Sequence, residues 1–305
     1  MTGLTNGTLA FYSRSTTQMG TIRREAEKLQ TRLSTGTRID RSSEDPVAAS
    51  RLRSLGRADR LGAIDASNAA RAKDGLTLTA GSLAAVAQDM GRVRELALWA
   101  GTETLSANQR ASIGQEIAQL RLTILANVNA RDVTGQPLFA GEAGGPAYQL
   151  DAAGNAIYAG TAVSGEIALG EGQSVTRGVT GPEFVGFSSG GNTSDIFAML
   201  KSLGDALQGG SADPAAAATA ALSDLDAALD GLTRTQTIVG TRLAWIETVQ
   251  DRQVAQSENR ASETADVGGV DLATTIAELQ QKLTVLEASQ AGFSRLSSLS
   301  LFDAF

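Results

Sequence analysis

Near the start of the chain, apolar side chains recur at Met19, Ile22, Ala26, Leu29 and Leu33, the alternating three-and-four step of a narrow coiled-coil seam. A similar step returns at the other end, where Asp271–Phe305 carries Leu272, Ile276, Leu279, Leu283, Leu286 and Phe293. A seam needs a partner, so the pattern predicts that residues 1–40 and 271–305 pair and that everything between them is one long excursion. Residues 1–12 are small and polar, with Asn6-Gly7 as a breaker, and are expected to be loose in an isolated subunit. The first helix is predicted from about Ser13 to Leu33.

Gly36 ends that helix, because a residue just past a helix often turns left-handed at no steric cost only to Gly. Arg38-Ile39 reads as short and extended. Ser42–Pro46 then opens a second helix, with Ser and Asp available to cap it and Pro tolerated in its first turn. Its pattern runs from Val47 to about Trp99, striped by Leu76, Leu83, Val86, Met90, Val93 and Ala97. At about 1.5 Å per residue this is a rod of roughly 80 Å. Ser106-Ala107-Asn108-Gln109 is a capping-box pattern, and Ile113, Ile117, Leu120, Ile124 and Val128 form the inner face of a third helix turning back along the rod. Residues 41–141 are thus expected to form the rod and its return helix.

Composition changes at Gly141. Up to Gly191 glycine punctuates short runs such as Ala147–Leu150, Ile157–Ala159, Glu166–Leu169 and Ser174–Thr176, with a hairpin turn at Asp151–Asn155, which predicts a small β-rich domain over 142–191. Asn192–Asp195 reads as the cap of a helix through Leu207. A long seam follows at Leu222, Leu225, Leu229, Leu232, Gln236, Val239, Leu243 and Ile246, fading beyond Gln250. Asp266–Val270 reads as a joint, which makes 192–270 the return helices of the rod. The expected fold is mainly α: a long antiparallel helical bundle made by the N- and C-terminal segments, with a small β-rich insertion projecting outward.

The 305 residues include only 4% aromatics, so thin helical seams are expected rather than one thick core. Trp99 and Trp245 read as packing anchors. A net charge of −7 with a pI near 4.8 argues against a nucleic-acid partner, which requires a basic surface. With neither cysteine nor histidine, disulfides, thiolate or imidazole metal sites and Ser-His-Asp or Cys-His machinery are excluded. The remaining catalytic option is a carboxylate pair in the insertion, from Asp151, Glu166, Glu171 and Glu183, but nothing in their spacing selects one. The glycines at 165, 170 and 172 lack a phosphate-loop pattern, so no cofactor is expected. No apolar run approaches the roughly 20 residues of a membrane span, so membrane insertion is not expected. The N-terminus lacks the features of a cleaved signal peptide, so an extracellular role would use an export route that leaves it intact.

Four stretches carry a resemblance: Leu33–Ile39 (LSTGTRI), Ser43–Ser50 (SEDPVAAS), Pro137–Gly141 (PLFAG) and Leu299–Asp303 (LSLFD). Together with the order of helices, insertion and helices, they resemble the flagellin superfamily over about residues 10–141 and 210–305. Glu44-Asp45-Pro46-Val47 and Val133–Gly141 look more like its hook–filament junction members than like filament flagellins, which typically show Asp-Asp-Ala-Ala and Phe-Asn-Gly instead. A filament subunit is the alternative within the superfamily. The opening Met1–Thr8 departs from the usual short Arg-Ile/Val-Ser-Thr start.

The resemblance implies a non-catalytic subunit of the bacterial flagellum, exported unfolded by the type III apparatus and held by an export chaperone through its C-terminal segment. It implies helical self-assembly between a preceding hook-associated protein and flagellin. The residues expected to carry assembly and chaperone contact are Met19, Ile22, Leu29, Leu33, Ile276, Leu279, Leu283, Leu286 and Phe293. Gly36, Arg38, Glu44, Asp45 and Pro46 are expected to build the turn between helices, Arg38 pairing with an acidic neighbour. The terminal stripes are thin, so the ends are expected to order fully only when neighbouring subunits cover them.

Overall fold

A computed structural model describes the chain over residues 2–302, with side-chain surroundings over residues 10–295. Seven helices are described: α1 (Thr2–Thr35), α2 (Pro46–Ala100), α3 (Ala107–Val128), α4 (Gly181–Val185), α5 (Ile196–Asp205), α6 (Pro214–Gly268) and α7 (Leu272–Phe302). Six short strands lie between α3 and α5: β1 (Tyr148–Leu150), β2 (Ala156–Tyr158), β3 (Glu166–Gly170), β4 (Gln173–Thr176), β5 (Gly186–Ser189) and β6 (Asn192–Asp195). The fold is therefore mainly α with a small β insertion. The chain divides into two compact units, residues 1–60 with 256–305 and residues 61–255. That division falls inside the two longest helices rather than at the turns near residues 40 and 270.

In the unit of residues 61–255, α2 meets two antiparallel neighbours. Ion pairs Lys73–Glu247 at 2.9 Å and Arg94–Asp226 at 2.6 Å fix the direction of α6, since 21 residues along α2 match 21 residues back along α6. Ser82 Oγ donating to the Asn127 carbonyl at 2.7 Å and Arg92–Glu116 at 2.9 Å do the same for α3. Inside lie Leu76, Leu83, Met90, Val93, Ile117, Ile124, Leu225, Leu232, Val239 and Ile246, the stripes read from the pattern. Ser106 and Gln109 form the expected capping box at the start of α3.

The insertion forms three separate antiparallel hairpins, β1–β2, β3–β4 and β5–β6. Asp151 Oδ1 closes the first by accepting from the Ala153 and Asn155 N–H groups at 2.9 and 2.8 Å. Hairpins this short bury too little to stand alone, and they share the helical core: Leu169, Val175, Val179 and Phe184 belong to the same buried cluster as the helices. Side chains from the helices also bond their carbonyls, with Asn68 to Ala168 at 3.0 Å, Gln253 to Leu169 at 2.8 Å and Arg242 to Gly178 at 2.7 Å. Two boundaries differ from the pattern. Asn192–Ser194 pair with β5 as a strand, and only Asp195 caps the following helix, accepting from Ala198 N–H at 2.9 Å. The joint before α7 is shorter than Asp266–Val270, because α6 runs on to Gly268.

Candidate assembly interface

The unit of residues 1–60 and 256–305 brings the two ends of the chain together. Glu25 and Lys282 pair at 2.7 Å, and the Tyr12 and Phe293 rings meet edge to face with centroids 5.2 Å apart, so α1 and α7 run antiparallel side by side. This corrects the expectation of a loose segment through residue 12, because α1 begins at Thr2. The reason is tertiary: α7 extends along α1 to Tyr12, and a ring contact of this kind offsets the low helix propensity of a Ser/Thr-rich segment. Just beyond it, the Thr16 and Thr17 hydroxyls donate back to the Tyr12 and Ser13 carbonyls at 2.9 and 2.8 Å.

On α1 the seam is the one read from the spacing. Leu29 is buried together with Ala26, and Met19, Ile22 and Leu33 are half-buried. On α7 the stripe divides in two. The covered positions are Thr275, Leu279, Lys282, Leu286, Ser289 and Phe293, a four-three repeat in which apolar side chains alternate with polar ones. Ile276 and Leu283, expected in the same seam, lie outside it, 45% and 43% exposed, as does Leu272. One neighbouring helix covers only one narrow face of α7, so a stripe too wide for it leaves an apolar edge open. A strict four-three count begun at Thr275 rather than at Leu272 would have separated the two sets.

The turn after α1 is held by charge and backbone together. Gly36 takes φ +70°, a left-handed conformation that L side chains rarely adopt. Arg38 N–H donates to the Gly268 carbonyl at 2.7 Å, Val270 N–H donates to the Gly36 carbonyl at 3.1 Å, and Thr37 bridges Gly269 as a short antiparallel pairing. The Arg38 guanidinium donates to the Val267 carbonyl at 2.9 Å and to Asp45 at 3.3 Å. Asp45 also caps α2, accepting from Ala48 N–H at 3.0 Å, and Pro46 occupies the first helical position, where no N–H is required. Glu44 reaches back to Lys28 and Arg32 of α1.

These carboxyls are held below their ordinary values. Lys28 does most for Glu44, the Ala48 N–H for Asp45, and the Thr274 side chain for Asp271, which caps α7. Sequence reasoning missed Lys28, Arg32 and Thr274 as partners, and also the Arg51–Glu263 pair, which joins α2 to α6 in this unit. Beside the turn lies an apolar hollow of about 680 Å³ lined by Ile39, Leu52, Leu55, Ala261, Ala265 and Arg260 among others. The Leu299–Asp303 motif and the departure at Met1–Thr8 lie outside the described side chains. Among the described residues no three His, Cys, Asp or Glu side chains gather as a metal site requires, and no helix is long and apolar enough to cross a membrane.

The terminal helices pair with one apolar edge of α7 left open, on a chain whose other elements form a helical scaffold with a small β insertion. Residues 7–143 match the family model of the bacterial flagellin N-terminal helical region. Flagellar hook-associated protein 3 of Escherichia coli K12 is 29% identical over 287 residues, covering 89% of this chain and 90% of that protein. A solved chain from Vibrio parahaemolyticus assigned as a flagellar hook-associated protein shares the fold at TM-score 0.68 and 21% identity, covering 74% of this chain and all of that one. The flagellar junction protein of Legionella pneumophila does so at 0.62 and 16%, covering 72% and 99%. The chain is thus similar to the flagellin family over its N-terminal helical region and to hook-associated proteins along most of its length.

Proposed function

We propose that this chain is a structural, non-catalytic component of the bacterial flagellum, the adaptor at the hook–filament junction, which polymerises through its terminal helices and seeds the flagellin filament. The observation that carries the reading is the divided stripe of α7. Leu279, Leu286 and the Phe293 ring are turned toward α1, while Leu272, Ile276 and Leu283 remain exposed on a helix otherwise built to pair. An open apolar edge of this kind gains free energy when a neighbour covers it. The relationship to a flagellar hook-associated protein along nine-tenths of both chains supports the same reading.

In this account Met19, Ile22, Leu29, Leu33, Leu279, Leu286 and Phe293 hold the two ends of one subunit together. Ile276 and Leu283 meet neighbouring subunits. Before export the same open edge of α7 is held by a flagellar chaperone. The preceding hook-associated protein lies on one side and flagellin on the other, outside the cell, reached by type III export without cleavage of the N-terminus. Gly36, Arg38, Glu44, Asp45 and Pro46 act as the brace that sets where α1 and α7 leave the longer helices.

The test is a strain of the source bacterium lacking this chain. Hooks without filaments, with flagellin lost to the medium, is the expected result. Filaments that still form, or that merely lack one subunit type, would make the protein a filament component instead.

A further inference from the structure

The first turns of α2 carry a basic face that forms no ion pair among the described residues. Arg53, Arg57 and Arg60 stand four and then three residues apart, the spacing of one helix face, and all three are exposed. Like charges at that spacing destabilise a helix unless a partner is present. Arg53 donates only to the Ser42 hydroxyl, at 3.3 Å. Among the described residues Arg57 and Arg60 have no hydrogen bond or ion pair at all. Carboxylates are at hand in the same helices, but they point elsewhere: Glu263 pairs with Arg51, and Asp59 faces Arg260 at 3.6 Å.

We propose that the Arg53/Arg57/Arg60 face of α2 is a docking surface for the acidic surface of a second copy of this chain, a contact separate from the terminal helices. Charge complementarity selects that occupant. The unit of residues 61–255 holds 20 acidic against 12 basic residues, a balance of −8 in a chain whose total is −7. Within it Asp74, Glu103, Asp230 and Asp251 are exposed and, among the described residues, free of ion pairs. The basic face lies in one unit and the acidic surface in the other, so the contact joins different patches on the two copies. Such a head-to-tail contact repeats without closing on itself unless the rotation happens to complete a ring, which is the geometry an extending assembly requires. It also makes association strongly dependent on ionic strength, because both patches are solvent-exposed.

The experiment is sedimentation velocity on the purified full chain at low and high salt. It compares wild type, Arg57→Glu, the triple reversal R53E/R57E/R60E and the charge-keeping triple R53K/R57K/R60K. The single reversal guards against misfolding of the triple, since Arg57 touches no partner. Circular dichroism verifies the fold of each. Wild type is expected to self-associate at low salt and to lose on the order of tenfold in affinity at high salt, as screening of exposed charge requires. Arg57→Glu is expected to weaken association, the triple reversal to abolish it, and the lysine triple to retain most of it. Wild-type association by the reversal variants, or an affinity indifferent to salt, overturns the proposal. So does a wild-type chain that stays monomeric yet binds phosphatidylglycerol vesicles through these arginines, which would assign the face to a membrane surface. Failure of the terminal-helix account is separable, because substitutions in α7 leave this face intact.

Discussion

Truncating Leu29 to alanine probes the pairing of α1 with α7 at its most buried large side chain. Leu29 is 8% exposed, so Leu29→Ala forfeits nearly the whole transfer free energy of the removed atoms. Buried Leu→Ala changes cost roughly 2–5 kcal/mol, and a two-helix seam can close part of the cavity, which places this one near the lower end, about 2 kcal/mol. Because residues 61–255 form their own unit with their own buried cluster, the loss should remain local. Native-state amide exchange resolves this. Protection along α1 and α7 is expected to fall by roughly 30-fold, while amides around Ile117 and Leu200 keep theirs. An equal loss of protection everywhere, or none in α7, would refute the claim that the terminal pair is a separately opening element held by this seam.

Leu283→Ala should behave differently: with the side chain 43% exposed and outside the α1-facing repeat, the monomer melt is expected to move by no more than about 0.5 kcal/mol, while assembly measured by light scattering weakens clearly. Acid should loosen the turn. Glu44, Asp45 and Asp271 are depressed from ordinary values of 4.5, 3.8 and 3.8, so their contribution is complete above those values and disappears as the pH falls through their lower folded values. Exchange protection near Arg38 and Thr275 is expected to fall in that acid window, and Glu44→Gln should make part of the fall disappear. Gly141→Ala should destabilise the insertion: φ is +65° there and a new Cβ would meet the Val163 carbonyl at 2.6 Å and the Thr161 hydroxyl. The strained backbone alone costs roughly 1–3 kcal/mol, read as a lower urea midpoint.

The long helices were legible because their periodicity survives in the structure; Leu76 to Ala97 on α2 are buried where the spacing puts them, and on α6 Leu225, Leu232, Val239 and Ile246 are buried with Leu229, Gln236 and Leu243 half-buried between them. Local chemistry was legible too, as at Ser106-Gln109, Asp151–Asn155 and Gly36. What the sequence hid depends on distant partners. Thr2–Tyr12 has weak intrinsic helix preference, and the companion helix that meets its last residue, Tyr12, is a partner no local pattern encodes. The division of the α7 stripe was hidden because Ile276 and Leu279 are equally apolar, and which of them faces α1 depends on the rotation of α7 about its axis. The Glu44 contacts to Lys28 and Arg32 follow from the fold of the turn, which no spacing rule encodes. The insertion read as a domain because its glycines change the composition, whereas its hairpins bury their apolar residues against the helices.

The central claim is that the open edge of α7 is where the subunit meets its neighbours. The most direct measurement is complementation of a strain lacking this chain with the double variant Ile276→Gln, Leu283→Gln, scored by filament length in electron micrographs and by flagellin in the medium. The account predicts a chain whose isolated fold is intact but whose cells carry hooks without filaments and shed flagellin. Filaments of ordinary length on those cells would contradict it.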